Sequence, residues 1–406
     1  MKTSLYIHIP FCLSKCKYCD FFSLPCTKQN IPDSYINALC KEIVYRFDAF
    51  AVTELESIYL GGGTPSLLLP EQMSKIFDTI YKKIHFKSDC EVSVEMNPDD
   101  ITAELLDFCT NSPITRISCG IQSLNQQALS FAGRRADLQT NLKALNLLSA
   151  KWKGELSLDL ISALPFETEK SFAEGLEAVC ALKPGHISLY ALTIEEGTVF
   201  SKLIDEGKLE YDSDMADKMW LYGRDFLIQK GYEHYEVSNF CLNGRECRHN
   251  LRYWNHESYL GAGSGATGTV YNEKAQKKVS GESCALRWTN TSDIEEYTRF
   301  WNDIGLSGIG LSNVCDGKKL PQSEEKICRA DSVFEFFMMG LRKKKGITLS
   351  QYKSLFGQEL PEKVLSVMQE YQKRGLFEII KIEDDINYRM NEKGLLFLNS
   401  FLRDIN

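Results

Sequence analysis

Leu5-Tyr6-Ile7-His8-Ile9-Pro10-Phe11-Cys12-Leu13-Ser14-Lys15-Cys16-Lys17-Tyr18-Cys19 runs an apolar, β-rich segment straight into three cysteines at spacings of four and three. A loop that curls after a strand can bring three thiolates onto one small object. A single zinc ion would want a fourth ligand to close its tetrahedron. A four-iron cluster can take three thiolates and keep one iron open for chemistry. Three ordinary cysteines in a cysteine-rich chain are the plain alternative. The spacing points to a metal, and the rest of the chain must say which.

Outward from this strand the pattern repeats. Candidate strands fall at Ser4–Ile9, Ser57–Leu60, Glu91–Met96, Arg116–Ile121, Leu156–Ser162 and His186–Ala191. Amphipathic segments such as Pro32–Phe47, Pro70–Lys82, Leu138–Ala150 and Lys170–Leu182 lie between them, with apolar residues recurring at three and four. Six strand–helix repeats predict a curling parallel sheet, either an open wound sheet or an incomplete barrel. Such sheets put their sites at the carboxyl ends of the strands. There the chain carries the cysteine loop, Gly61-Gly62-Gly63-Thr64-Pro65, Glu95-Met96-Asn97-Pro98, Gln122-Ser123, and Tyr190-Ala191, with Asp159 inside the fifth strand. Strands buried on both faces should be nearly all apolar, so Glu95 and Asp159 need partners or a ligand. The glycine run allows positive φ and close backbone approach to a ligand. It matches neither the phosphate loop nor the dinucleotide fingerprint, and a turn that only serves packing would read the same.

Past Ala191 the expectation is helices over Thr198–Glu206 and Ser213–Lys230, then a strand over Tyr232–Phe240 that extends the sheet. Cys241–Gly268 has no clear period and reads as ordered loop with short strands. From about Ser292 the chain reads as mainly helical, with a hairpin over Leu376–Met390 and a final helix over Glu392–Leu402, which together suggest a winged-helix-like module. The basic run Arg342-Lys343-Lys344-Lys345 reads as a solvated helix end. A net charge of −8 over 406 residues argues against a nucleic-acid partner held by its phosphates. Fourteen cysteines without a secretory signal, and no apolar run of transmembrane length, predict a reducing, cytoplasmic setting.

Tyr6-Ile-His-Ile-Pro-Phe-Cys12, the three-cysteine loop, Gly-Gly-Gly-Thr-Pro-Ser, Glu95-Met-Asn-Pro, Gly120-Ile-Gln-Ser and Ser157-Leu-Asp-Leu-Ile together resemble the radical S-adenosylmethionine superfamily. The resemblance is to its branch of oxygen-independent coproporphyrinogen oxidases and heme chaperones. It implies an α/β fold: an incomplete (β/α)6 TIM-like barrel over 1–200, a sheet extension with a heme-motif region over 201–290, and a C-terminal, mainly helical, winged-helix-like domain over 291–406. It implies a 4Fe–4S cluster on Cys12, Cys16 and Cys19, and S-adenosylmethionine lined by Tyr6, Tyr18, Gly62, Gly63, Thr64, Glu95, Gln122, Arg134, Asp159, Ala191 and Ala266. The family's glycine ahead of Leu164-Pro165 is Ala163 here.

The oxidases resemble Cys-x3-Cys-x2-Cys-x-Cys, and the last position here is Phe21. The eleven residues ahead of Cys12 also predict no lid of the oxidase kind. Tyr235-Glu-Val-Ser-Asn-Phe240 and His249-Asn250-Leu-Arg-Tyr253-Trp254 resemble the chaperones' blocks, the second being their heme-associated motif. Imidazole can ligate heme iron and flat rings can cover the macrocycle; packing of these rings in a core is the alternative, and Cys241 and Cys247 nearby are alternative thiolates. The resemblance implies heme as a third cofactor and heme-accepting apoproteins as partners. It leaves open a homodimer, peripheral membrane association through the acceptors, and whether the protein is an enzyme. The competing reading is a radical enzyme acting on a tetrapyrrole, by coproporphyrinogen decarboxylation or heme opening.

Overall fold

Along the first six strands polar and apolar residues alternate, and that period of two sorts them onto opposite faces. Leu5, Ile7, Ile58, Leu60, Val92, Val94, Ile117, Cys119, Leu158, Leu160, Ile187 and Leu189 join one buried cluster with helix residues such as Ile36, Leu39, Met73, Leu106, Leu145 and Leu176. The opposite face carries Ser4, Tyr6, His8, Ser57, Tyr59, Glu95, Ser118, Ser157, Asp159, His186 and Ser188. These touch one another: Ser57 donates to Ser4 Oγ at 2.7 Å, Tyr59 to Glu95 Oε1 at 2.8 Å and Ser118 to Asp159 Oδ2 at 3.0 Å. The sheet therefore wraps around a polar interior with helices outside. This corrects the expectation that strands covered on both faces should be nearly all apolar.

The computed structural model describes all residues except 28–30, 85–86, 88, 278–282, 305–313 and 316–317. In chain order the elements that matter are β1 (Lys2–Ile9), α1 (Asp33–Ala49), β2 (Glu54–Gly62), α2 (Pro70–Lys83), β3 (Glu91–Met96), α3 (Ala103–Thr110), β4 (Arg116–Gln122), α4 (Leu138–Lys151), β5 (Glu155–Ser162), α5 (Glu169–Ala181) and β6 (His186–Ala191). After these come α6 (Ser213–Gln229), β7 (Glu233–Glu236), β8 (Asn239–Cys241), α7 (Arg248–Trp254), β9 (Tyr259–Ala262), β10 (Thr267–Tyr271), β11 (Ala285–Asn290), α8 (Ile294–Asp303) and β12 (Gln322–Ile327). The C-terminal part has α9 (Arg329–Gly340), α10 (Leu349–Phe356), α11 (Glu362–Lys373), β13 (Phe377–Ile382), β14 (Asp385–Met390) and α12 (Leu398–Ile405). A 12-stranded sheet runs β12-β11-β10-β9-β1-β2-β3-β4-β5-β6-β8-β7, with β1 to β6 parallel to one another, β9 parallel to β1 and β8 antiparallel to β6.

Several segments differ from the sequence expectation. Tyr232–Phe240 is two antiparallel strands joined at Val237-Ser238, where Ser238 N donates to the buried Glu236 carboxylate at 3.2 Å. Cys241–Gly268 has the expected short strands, β9 and the start of β10, but also the helix α7, which was not expected. The stretch after Ser292 includes β12, an edge strand whose exposed Glu324, Glu325 and Lys326 suit an edge that must not recruit another chain. Part of that helical expectation, 305–313, lies outside the described residues. The last helix forms as two pieces, Glu392–Leu395 and Leu398–Ile405. No helix among the described residues is long and apolar enough to cross a membrane.

Candidate functional site

The carboxyl ends of β1 to β6 open into one cavity of about 400 Å³. Cys12, Cys16 and Cys19 all line it, as do Tyr18, Gly62, Gly63, Thr64, Glu95, Gln122, Arg134, Asp159 and Ala191. Two residues expected there are not among those that line it. Tyr6 is half-buried and is not among the lining residues; its hydroxyl lies 2.9 Å from His8 Nδ1 and its ring stacks on Tyr59. Ala266 sits in the turn between β9 and β10, where its carbonyl accepts from Asn290 N at 2.9 Å, and Gly265 beside it abuts the Phe22 ring.

The cysteine loop is pinned on both sides. Lys17 N donates to Ala132 O at 2.9 Å and Cys26 N to Cys12 O at 2.9 Å, while Cys12 Sγ is 3.4 Å from Thr64 Oγ1. Burial first, then the neighbouring Cys16 and Cys12 thiols, push the Cys19 thiol up. Among the described residues no three His, Cys, Asp or Glu side chains form a set tight enough for a single ion. A cube that gives each thiolate its own iron asks for sulfurs spread more widely than one ion would.

The three glycines have a packing reason. A Cβ on Gly62, whose φ is +108°, would lie 2.4 Å from the His8 ring, and one on Gly63 would lie 2.7 Å from Phe11 O. The run therefore threads between β1 and the cysteine loop, and its tightness frees Gly62 N to donate to Glu95 Oε2 at 3.1 Å.

Two carboxyl groups face this space with little water. Burial raises Glu95 to about 7 against the bonds from Tyr59 and Gly62 that favour its charged form. Burial also raises Asp159, opposed by the hydroxyls of Ser188, Ser118 and Ser157. Arg134 Nη2 donates to Gly120 O at 2.7 Å and Asn97 Oδ1 at 3.0 Å, its Nη1 lies 3.5 Å from Cys16 Sγ, and its buried Nε has no partner. Thiols, an arginine with an idle donor and two poorly solvated carboxyls make a donor set suited to a cluster plus a zwitterionic, cationic small molecule. Sequence reasoning quoted Asn97 at a strand end without giving it a role, and missed Ser118 on this cavity wall. Ser118 was legible in the alternation Ser118, Gly120, Gln122, which marks the inner face of β4.

At the other end of the barrel α7 plugs the amino ends of the strands. Glu91, at the start of β3, caps it: Oε2 accepts Arg248 N at 3.2 Å and Oε1 accepts His249 N at 2.9 Å. His249 is 1% exposed, with Nδ1 2.8 Å from Ser57 Oγ and Nε2 2.8 Å from Tyr253 OH. Burial lowers it to about 3. Its imidazole thus faces the barrel interior with both nitrogens engaged, not a surface open to a macrocycle. Asn250 and Trp254 are half-buried. Cys241 and Cys247 are buried as well, the second as the residue that starts α7.

Residues 6–179 match the radical SAM superfamily and residues 328–397 the HemN C-terminal domain. The chain is 33% identical over 355 residues to the heme chaperone HemW of Lactococcus lactis subsp. lactis, covering 87% of this chain and 85% of that one. It belongs to the HemW family of radical SAM proteins. It is also 32% identical to the heme chaperone HemW of Haemophilus influenzae, over 98% of this chain and 96% of the relative. With the mitochondrial radical S-adenosyl methionine domain-containing protein 1 of Danio rerio it shares 30% identity over 100% of this chain and 87% of the relative. The coproporphyrinogen III oxidase HemN of Escherichia coli has the same fold, with a TM-score of 0.78 at 21% identity over 100% of this chain and 90% of that structure.

Proposed function

We propose that this HemW-family protein is a heme chaperone: it binds heme and passes it to acceptor proteins, and it carries a 4Fe–4S cluster and S-adenosylmethionine at the carboxyl rim of the barrel. The observation that carries the cofactor part is the single cavity shared by Cys12, Cys16 and Cys19 with Glu95, Asp159 and Arg134. Cys12, Cys16 and Cys19 would hold the cluster, which would bind the amino acid end of S-adenosylmethionine. Arg134 meets its carboxylate, and the poorly solvated Glu95 and Asp159 meet its cationic groups and ribose diol. When bound, the pair supplies one-electron chemistry; the chain's own residues bind, orient and exclude water.

For heme, support comes from the relatives' printed function and from the helix Arg248–Trp254. His249 and Tyr253 brace that helix against the barrel, so the heme contacts fall to its other faces. The oxidase reading is the weaker one. Where an oxidase would carry its extra cysteine, this chain presents Phe21, 65% exposed at the cavity rim. Acceptor proteins reach the protein in the cytoplasm, at the membrane surface where the acceptor itself is bound there, and the cluster serves transfer or dimerisation in place of substrate oxidation.

The test uses one anaerobically reconstituted sample, with iron and sulfide counted before a heme titration followed at the Soret band. Near four irons per chain and a saturable Soret shift are expected. No shift removes the chaperone reading. Protoporphyrinogen formed from coproporphyrinogen III at catalytic turnover would replace it with the oxidase.

A further inference from the structure

The basic run Arg342–Lys345 is not a solvated helix end. It leaves α9 as an extended turn that docks on the end of β7, with Val237 N donating to Arg342 O at 3.1 Å and Lys344 N to Tyr235 O at 3.0 Å. This docking carries Lys343 into a crevice of about 390 Å³ between α7 and the C-terminal part. Leu251 and Asn255, one turn apart on α7, form one wall, and Thr348 and Gln351 at the start of α10 form another. The helix that turns His249 and Tyr253 into the barrel thus turns a different face to this crevice.

Lys343 is 8% exposed. Its ammonium donates to the neutral Asn255 Oδ1 at 2.6 Å, and among the described residues no carboxylate lies within ion-pair distance of it. A buried ammonium without a counter-ion is costly, and here burial lowers the group to about 8. Glu257, the acid it senses most, is held by Arg252. Lys345, also on the crevice, is 84% exposed in its side chain and loosely paired with Glu246 at 3.7 Å; Glu246 is the one acid on the crevice wall. Nearby, the Arg342 guanidinium covers the Trp254 indole at 4.7 Å, and both Arg342 Nε and Trp254 Nε1 are buried donors without an acceptor.

We propose that the crevice is a carboxylate site that takes the propionate groups of the carried heme, with Lys343 as the inner contact and Lys345 as the outer one. The assignment rests on the heme-carrying reading above. It gives α7 two separate duties: an inner face that anchors the helix in the barrel and an outer face that fixes the porphyrin's polar edge.

The full chain is titrated with heme and with the dimethyl ester of heme, which lacks free carboxylates, using wild type, Lys343→Gln and Lys345→Gln. Lys343→Gln is expected to weaken heme roughly tenfold or more, the scale of a charge-assisted hydrogen bond. Lys345→Gln, on an exposed side chain that leaves folding untouched, should weaken it by about threefold. The ester should bind wild type more weakly than heme does, and should bind Lys343→Gln no more weakly than it binds wild type. Heme and ester binding alike to wild type, with Lys345→Gln and folded Lys343→Gln unchanged, would overturn the proposal alone. No Soret shift with either ligand would overturn the carrier reading and this site together.

Discussion

Ala163 has φ +62°, in the left-handed region where a Cβ crowds the following carbonyl and glycine sits without strain. It stands where the resemblance expects glycine, so the turn after β5 has kept its backbone shape while changing its residue. Ala163→Gly is therefore expected to stabilise the protein by about 0.5–1 kcal/mol, the strain relieved less the extra entropy of the unfolded glycine; urea unfolding of the two proteins checks it. Glu95 supplies a prediction with a sign. Its folded value of about 7 lies above the ordinary 4.5, so between those pH values the folded chain holds a proton that the unfolded chain releases. Stability from this group is full below about 4.5 and is lost as pH rises through 7. Relative to wild type, Glu95→Gln should gain on the order of 3 kcal/mol across that window in ligand-free protein. Saturating S-adenosylmethionine, by placing positive charge beside the carboxylate, should shrink the gain. Thermal melts from pH 4 to pH 8, with and without ligand, read both effects.

At the scale of elements, α7 shows what one carboxylate does when it joins distant segments. Glu91 pairs with Arg116 Nε at 3.1 Å, both nearly fully buried, and caps the helix through two backbone amides. Removing it strands a buried guanidinium and two helix donors. Glu91→Ala is expected to cost about 3–5 kcal/mol, with far-ultraviolet circular dichroism and a denaturant melt as the check. Glu91→Ala combined with Arg116→Met should recover part of that loss, because the stranded charge goes too; a double variant no more stable than Glu91→Ala would show that the cap alone matters. The same helix explains what the sequence could not say. The first six strands were legible because local alternation and flanking turn residues fix them, and six of the helices fell within two residues of expectation at each end. Helix α7 spans seven residues, too few to establish a period, and its N-terminus is set by a side chain far away in sequence. The two strands of 233–241 read as one because alternation continues across the turn. Of the cavity, the residues at strand ends were legible from position; Tyr6 and Ala266 were placed by resemblance alone, and neither is among the residues that line it.

At the scale of the molecule the chain has two main cores that meet at the plugged end of the barrel. Phe336, Phe337, Tyr352, Phe356, Met368, Tyr371, Phe377, Tyr388 and Phe401 make a cluster wholly within the C-terminal part. The barrel's cluster is separate and larger. Polar and aromatic contacts stitch them: His256, 3% exposed, lies 3.2 Å from Ser332 Oγ through Nε2, with its ring centroid 6.1 Å from Phe336 and 4.1 Å from Tyr271. Lys343 and Arg342 complete the seam against α7. A module with its own core but a shared seam should fold alone and yet melt with its neighbour. The isolated 328–406 fragment is expected to be helical and to melt cooperatively. Residues 1–327 alone should melt lower than the full chain, since truncation uncovers His256, Trp254 and the end of β7. The full chain should melt in one calorimetric transition above both fragments, and S-adenosylmethionine bound at the far rim should raise that whole transition through mass action. Two resolved transitions, with only the upper one moving on ligand addition, would mean that the seam transmits nothing and that the Lys343 crevice and the rim cavity act independently.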